Sequence, residues 1–344
     1  MRTLIVSDLH LGQRAGHDVL RRPVALQALV DQLKDVDRLV LLGDTVELLE
    51  GRPKPAMRAA LPVLRALGAA LGSGKDVVVV LGNHDHALVR PWLRRQRTAG
   101  RRIGLASRVP ASSSASLRAI AAALKPARVQ VRYPGVWLDD GVWATHGHYL
   151  DRHLFPNGST GVMIGRGVPE GRASAEDYEA ASGPSAAAVQ GLVAASLPGI
   201  VGEPLDRAAG LARRASLVAL PVAAKLLGAG TLAPISAGAL GFQFRRAGMP
   251  AMGEVAGRLN VKADHVIFGH LHRAGPRYGD HVPEWTPIGG RALTNSGCWV
   301  YEPLLLAGAH PPHPYWPGGA VLLESGQAPQ ALGLLDDVDE DLLR

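Results

Sequence analysis

The chain has 344 residues, of which 47% are hydrophobic and 5% aromatic, and 37 Lys and Arg against 30 Asp and Glu give a formal net charge of +7. This length predicts one large domain with an insertion, or two domains. The single cysteine, Cys298, excludes an internal disulfide and a cysteine-based zinc site and favours a reducing compartment. Because the chain starts with a strand rather than a leader segment, we expect a cytoplasmic protein, with membrane association as an alternative. Its charge favours anionic partners.

The first part of the chain alternates short apolar strands with amphipathic helices. A run of four valines ending at Val80 predicts a strand that is buried on both faces. The order β-α-β-α-β predicts a parallel or mixed sheet with right-handed crossovers. In chain order, the predicted elements are strand Thr3 to Val6, helix Pro23 to Lys34, strand Arg38 to Leu42, a helix from Met57 to Leu71 that is broken near Pro62, and strand Val77 to Val80.

A strongly basic stretch follows, from Arg90 to Arg102, with Trp92 within it. These arginines could clamp a phosphate-bearing substrate or contact nucleic acid. A solvated, arginine-rich helix and loop explains them equally well. Nucleic acid is therefore an alternative partner that we do not favour.

The middle of the chain first continues the strand pattern and then changes in composition. We expect a serine-rich linker from Ala111 to Ser116, a half-exposed strand around Val129 to Tyr133 and a strand from Val142 to Thr145. The sequence that follows is rich in Ala and Gly and predicts a mostly helical insertion, or cap. The expected domains are a core of residues 1–149 and 261–344 and a cap of residues 150–260.

The segment 213–246 of this insertion contains an uncharged run, Leu226 to Phe244, with basic borders. Peripheral membrane contact is one interpretation. A buried pair of cap helices, interrupted by glycine and proline, is the interpretation that we favour. After the insertion, we expect a strand from Asp264 to Phe268. Asn295-Ser296-Gly297 and the segments near Trp299 to Tyr301 and Ala320 to Leu323 predict closing strands of a second sheet.

Five predicted strand ends carry aspartate, asparagine and histidine. Because open α/β sheets place their chemistry at the carboxyl ends of strands, we expect these side chains to converge. An extended backbone would place Asp8 and His10 on the same side, where both can bind one ion. Without a thiolate, this ligand set suits Mn, Fe, Zn or Mg. A carboxylate that faces two ions holds them ~3.5–4 Å apart, which supports in-line phosphoryl displacement. The five motifs are Asp8-Leu9-His10, Gly43-Asp44, Gly82-Asn83-His84-Asp85, His146-Gly147-His148 and Gly269-His270-Leu271-His272.

Taken together, the motifs resemble those of the calcineurin-like binuclear metallophosphoesterases. The resemblance covers residues 1–148 and 264–300. It implies an α/β fold with four layers, an αββα sandwich in which helices flank two mixed β-sheets. It also implies two divalent metal ions, for which we expect manganese first and iron, zinc or magnesium as alternatives.

The resemblance further implies roles for individual residues. Asp44 would bridge the two ions, and a hydroxide shared by them would attack phosphorus at neutral pH. His84 would be a charged donor, not a ligand, that meets the scissile group and protonates or steadies the leaving oxygen. The implied ligands are Asp8, His10 and His272 for the first ion and Asn83, His146 and His270 for the second, with Asp44 shared.

Three more residues are predicted to lie around the ions or against the substrate. Glu47 stands where the family commonly has aspartate, and we expect it to orient His84. Asp85 follows His84 directly. His148 would share a side of an extended segment with His146, as an extra ligand or a substrate contact, although we favour a loop histidine without such a role.

The predicted function is hydrolysis of a phosphoester or pyrophosphate bond in a phosphorylated small molecule or a lipid-linked substrate. Glu47, the segment Asp8 to Leu11 and the insertion are also similar to the UDP-2,3-diacylglucosamine hydrolase branch, in which a helical lid holds acyl chains while the metals cleave a pyrophosphate. A nuclease and a non-catalytic scaffold of the same fold are the alternatives. Since the motif set lacks no ligand, we do not favour the scaffold.

Overall fold

The computed structural model describes residues 1–49, 52–154, 168, 170–181, 237–277, 279–286, 290–306 and 308–344. Within these ranges, ten strands and eight α-helices form a mixed α/β fold. The strands are β1 (Arg2–Val6), β2 (Arg38–Leu42), β3 (Asp76–Val80), β4 (Ala106–Arg108), β5 (Arg128–Asp139), β6 (Val142–Thr145), β7 (His265–Phe268), β8 (Ala292–Asn295), β9 (Gly319–Glu324) and β10 (Gln330–Gly333). The helices are α1 (Pro23–Leu33), α2 (Pro53–Leu71), α3 (Arg90–Thr98), α4 (Ala115–Ala123), α5 (Asp151–Leu154), α6 (Ala175–Ala181), α7 (Ala237–Arg258) and α8 (Pro303–Leu306).

The strands follow the order β10-β9-β1-β2-β3-β5-β6-β7-β8, and β4 pairs with β5. Strands β1, β2, β3 and the first half of β5 are parallel, whereas β9 is antiparallel to β1. The second half of β5 pairs antiparallel with β6, which is parallel to β7, as β7 is to β8. Because the twelve-residue β5 pairs with β3 through Arg128–Arg132 and with β6 through Gly135–Asp139, it links the two sheets.

Alternation of side chains along the strands divides the apolar interior into three clusters. In β3, Val77 and Val79 belong to a cluster with α1, α2 and α4, whereas Val78 and Val80 belong to one between the sheets. In β7, Ile267 joins the cluster between the sheets, and its neighbours Val266 and Phe268 pack with α6 and α7. This period of two is what a strand with two buried faces requires. The predicted four-layer arrangement, with helices outside two packed sheets, is confirmed.

Two local predictions are wrong. Helix α2 is not broken at Pro62 but runs from Pro53 to Leu71. Pro62 lies on its exposed face, while the apolar face, including Leu64 and Leu67, stays buried against the sheet. The serine-rich stretch after Ala111 is not a linker, because Ser114 caps α4 by accepting the Leu117 N–H at 3.2 Å.

The closing strands were also partly misplaced. The segment Gly319–Glu324 is a strand, but it pairs with β1 in the first sheet. The segment Trp299 to Tyr301 forms only an isolated bridge, between Val300 and Asp18. The Trp299 ring is buried and donates its indole N–H to the Gly319 carbonyl. The second sheet is closed by β8, which shares only its last residue, Asn295, with the predicted segment Asn295-Ser296-Gly297.

The described parts of the predicted insertion are mostly helical, and α5, α6 and α7 all lie inside residues 150–260. The domain boundaries stay a prediction. Of the segment 213–246, residues 213–236 lie outside the described residues, and α7 begins at Ala237. In the described part of the chain, none of the helices combines the length and the apolar character needed to span a bilayer.

Candidate metal centre

The loops that follow β1, β2, β3, β6 and β7 meet at one edge of the two sheets. Hydrogen bonds join the loops of the first sheet, since the His10 N–H donates to the Asp44 carbonyl at 2.8 Å. They also join the loops of the second sheet, where the Gly269 N–H donates to the His146 carbonyl at 2.9 Å. The backbone itself thus joins four of the five predicted motifs in two pairs.

Backbone strain is concentrated in these loops. Asp8 and His10 have φ of 54° and 43°, so the prediction of an extended backbone between them is wrong. Left-handed backbone at both residues is what turns their side chains to one side. Such conformations are costly for residues other than glycine and persist where the surrounding structure fixes them, often at functional sites. Among the described non-glycine residues, six have a positive φ: Asn260 and the five predicted ligands Asp8, His10, Asp44, His270 and His272.

The first cluster consists of Asp8, His10 and His272. The Nε2 atom of His272 lies 3.3 Å from Asp8 Oδ1 and 3.3 Å from His10 Nε2. Asp8 is fully buried, and its Oδ2 accepts hydrogen bonds from the Ser7 hydroxyl and from the His270 N–H, the latter at 3.0 Å. Its Oδ1 has no hydrogen-bond partner among the described residues. A buried carboxylate oxygen that faces two imidazole nitrogens in this way fits a cation site.

Asp44 lies between this cluster and a second one. Its Oδ2 is 3.8 Å from His10 Nε2 and 3.1 Å from His146 Nε2. Its Oδ1 accepts the His84 N–H at 2.8 Å. One carboxylate oxygen therefore fixes the loop, while the other faces both clusters, as a bridging ligand would.

The second cluster consists of Asp44, His146 and His270, whose ligand atoms lie within 4.8 Å of one another. His146 Nδ1 is 3.0 Å from the Leu42 carbonyl, and because a carbonyl can only accept, Nδ1–H donates this hydrogen bond. The bond fixes the ring so that Nε2 lies 3.0 Å from Asn83 Oδ1. A ligand histidine usually donates its other N–H to such a carbonyl. The structure thus places all seven predicted ligands in two adjoining clusters.

Glu47 lies behind two histidines. Its Oε2 is 2.6 Å from His84 Nδ1, at the distance needed to orient that ring as predicted. The same oxygen lies 3.0 Å from His10 Nδ1, a contact that the sequence did not predict. The side chain of His84 is 17% exposed against 2% for Glu47, so a substrate can reach the imidazole but not the carboxylate. His84, His10 and Asp44 also present ligand atoms within 4.8 Å of one another. The role of His84 as a donor rather than a ligand stays a prediction.

Asp85 connects two of the loops. It is fully buried and accepts the Thr45 N–H at 2.9 Å and the Gly82 N–H at 2.7 Å. Burial and the nearby charge of Asp44 raise the pKa of Asp85 to about 7. Asp85 therefore fixes the loops that carry Asp44 and Asn83, and its position around the ions or against the substrate stays a prediction.

Two glycines before the ligands are required by close contacts. A Cβ at Gly82 would collide with Asp44 Oδ1 and with the His146 ring. A Cβ at Gly43, where φ is +90°, would collide with the same ring. Only glycine lets these strands end directly beneath the ligand side chains.

His148 lies beside the second cluster, with its ring 5.6 Å from that of His146. The expected extended segment is absent, because Gly147 is left-handed and His148 begins the 3-10 helix His148–Leu150. Its Nε2 is 3.3 Å from the Tyr133 hydroxyl. Burial, and next the charge of His146, hold the pKa of His148 well below its usual value, so the ring is neutral.

Sequence reasoning missed two carboxylates. Asp151 Oδ1 lies 2.7 Å from His270 Nε2, and its position three residues after His148 is the signal that could have found it. Glu179, on α6, lies 2.9 Å from His86 Nε2 and accepts hydrogen bonds from the hydroxyls of Tyr149, at 2.8 Å, and Tyr133. No motif surrounds Glu179 in the sequence, so its contact with the core was not predictable.

The electrostatics of the two clusters favour cations. Burial acts to raise the pKa of Asp8, but the charges of His146 and His272 outweigh it and lower that pKa to about 2. The pKa of Asp44 is held well below its usual value against burial by His146 and His84. Burial acts to lower the pKa of His146, but the carboxylates of Asp44 and Asp8 outweigh it and raise that pKa to about 9. Buried carboxylates that stay ionised by drawing a proton onto a neighbouring imidazole also attract metal ions.

The family model described as calcineurin-like phosphoesterase matches residues 1–157 of the chain. This match supports the calcineurin-like phosphoesterase family and covers the loops after β1, β2, β3 and β6. The structure adds His270 and His272 from the loop after β7, outside the matched residues. No curated protein matches the chain. The family and the clustered ligands together support a metal-dependent phosphoesterase.

Proposed function

We propose that the protein hydrolyses a phosphoester or pyrophosphate bond at a centre of two divalent cations, with manganese as the first expected metal. The observation that carries this proposal is the position of Asp44 Oδ2, between His10 Nε2 at 3.8 Å and His146 Nε2 at 3.1 Å. Asp8, His10 and His272 would hold one cation, and Asn83, His146 and His270 the other. When bound, such cations activate water and neutralise charge on phosphoryl oxygens.

The residues of the chain would fix and assist this centre. Glu47 orients His10 and His84 through their Nδ1 atoms, and Asp85 holds the loops that carry Asp44 and Asn83. His84 is fixed on one side by Glu47 and partly exposed on the other. It would donate a proton to the leaving oxygen, since a general acid must lie within hydrogen-bond reach of the group that it protonates.

A substrate panel on manganese-loaded protein tests this proposal. Bis(p-nitrophenyl) phosphate, p-nitrophenyl phosphate and a nucleoside diphosphate sugar separate diester, monoester and pyrophosphate hydrolysis. We expect turnover of at least one substrate, lost on chelation and restored by added manganese. Metal-independent turnover, or no turnover with any substrate, would contradict the proposal and favour the scaffold.

A narrower proposal concerns the substrate. The similarity to the UDP-2,3-diacylglucosamine hydrolase branch favours a pyrophosphate in a lipid-linked nucleotide sugar, and an insertion helix, α6, lies against the core through Glu179 and His86. Release of UMP from UDP-2,3-diacylglucosamine would support this substrate, and its absence from an otherwise active enzyme would exclude it. The nuclease alternative has less support, because Trp92, the aromatic residue within the basic stretch, is buried in the core and cannot stack on a base.

A further inference from the structure

A cleft of about 600 Å³ lies between the end of α3 and the segment that leads into α6. One wall comes from the core and the other from the predicted insertion. None of the predicted metal ligands lines the cleft. Its lining residues are Arg97, Gly100, Arg101, Arg102, Arg172, Ala173, Ser174, Glu176 and Asp177.

The described lining of the cleft carries more positive than negative side chains. Its four arginines are exposed, and none of them forms an ion pair with another described residue. Both carboxylates are already engaged, since Glu176 accepts the Ile103 N–H and Asp177 Oδ2 accepts the Ser174 N–H and hydroxyl, each at 2.8 Å. The guanidinium groups are therefore available to an anionic ligand.

The two walls are fixed to each other and to the core. The bond between Glu176 and Ile103 crosses the cleft, and the Ala173 N–H donates to the Arg258 carbonyl of α7 at 2.9 Å. One turn further along α6, Glu179 contacts His86, two residues after His84 in the chain. Because the walls are held in this way, a ligand would not have to order them on binding.

We propose that this arginine cleft binds a phosphate-bearing anion at a second site, separate from the metal centre. Arginine presents a planar fork of donors that matches phosphate oxygens, and four such groups suit a ligand with at least two phosphates. Among the described residues, no aromatic side chain lines the cleft, so these residues offer no surface on which a nucleic acid base could stack. The ligand class is a multiply phosphorylated small molecule or the headgroup of a phosphorylated lipid.

Calorimetric titration of the full-length protein with methylenediphosphonate, a pyrophosphate analogue that resists hydrolysis, tests the site. The double variant Arg101→Ala/Arg102→Ala should weaken binding at least about 10-fold, since it removes two of the four guanidinium groups that would bind the phosphates. Arg94→Ala/Arg95→Ala is the matched control, because it removes the same charge from exposed residues of α3 outside the cleft. It should change binding less than about twofold after correction for screening.

Two further measurements make the test specific. Arg101→Lys/Arg102→Lys retains the charge but not the fork, and an intermediate loss is expected. Vesicles of phosphatidylcholine with about 5% phosphatidylinositol 4,5-bisphosphate distinguish a lipid headgroup from a soluble anion. Binding to the vesicles or to methylenediphosphonate supports the shared phosphate chemistry. Equal losses in the cleft variant and the control, no cleft-dependent binding of either probe, or cleft-dependent binding of a single-stranded oligonucleotide alone would overturn the proposal.

Discussion

The layer between the two sheets and the loop edge at the ends of the same strands differ in every physical respect. The hydrophobic cluster of this layer is built from aliphatic side chains, such as Val78, Val80 and Ile267. The edge buries Asp8, Asp44 and several histidines on left-handed backbone. Burial of the first set stabilises the fold, whereas burial of the second is favourable only with compensating charges. Apolar burial in the sheets therefore offsets the free-energy cost of the ligand loops.

The largest expected effect tests the chemical side of this contrast. His84→Ala should lower kcat by roughly 10²–10⁴, the range for a lost general acid, and leave metal content unchanged. His310→Ala is a control, because that side chain is 78% exposed and lies outside the loop edge. Kinetics with metal analysis on the same samples decides between the roles. Loss of metal along with activity would make His84 a ligand, and full activity would remove its assignment.

The next largest effect tests the supporting side. Ile267 is fully buried in the layer between the sheets, and Ile267→Ala should lower the free energy of unfolding by about 2–5 kcal/mol. Val282, which is 68% exposed, provides the control Val282→Ala, with a change within about 0.5 kcal/mol. Both values come from chemical denaturation. If Ile267→Ala left stability unchanged but abolished metal binding, the division between layer and edge would be wrong.

Glu47 tests whether the edge depends on groups that touch no substrate. Glu47→Gln keeps the size of the side chain but weakens its hold on His10 and His84, so we expect a loss of about 10–100-fold in metal affinity or kcat. Glu47→Asp, which keeps the charge, should recover part of this loss. Equal behaviour of the two variants would show that the charge of Glu47 has no part in positioning these histidines.

The smallest effect concerns the contact between α6 and the core. Burial acts to raise the pKa of Glu179. The hydrogen bond and charge of His86, together with hydrogen bonds from two tyrosines, outweigh burial, so that pKa lies below its usual value. A carboxyl group whose pKa is lowered by folding adds stability above its unfolded pKa, near 4.5, and this stability fades as the pH falls further.

Glu179→Gln should therefore lower the unfolding free energy by about 1 kcal/mol at pH 7 and reduce the difference from the wild type below pH 4. Denaturation series at both pH values measure this change. Equal stability of the two proteins at pH 7, or a difference that grows as the pH falls, would show that the ionised Glu179 does not fix α6 to the core.

The sequence was informative where a side chain has one local role. The valines of β3 predict a doubly buried strand, and the motif residues from Asp8 to His272 indicate a shared edge, because both follow from short patterns. The position of β9 beside β1 depends on pairing across the whole chain, so its own alternation could not reveal it. Glu179 was missed for the same reason. The left-handed backbone at Asp8 and His10 has only a weak signal in residue type, because Asp and His are enriched in that region but mostly adopt other conformations.

The Oδ2 atom of Asp44 faces both clusters, and we expect two cations to share it. Elemental analysis of manganese-loaded protein, with Asp44→Asn measured beside it, tests this claim most directly. We predict close to two manganese ions per wild-type chain and a clear loss of metal in Asp44→Asn, because the shared oxygen faces His10 and His146 together. One ion or none in the wild type, or an Asp44→Asn variant that still holds two, would contradict the account.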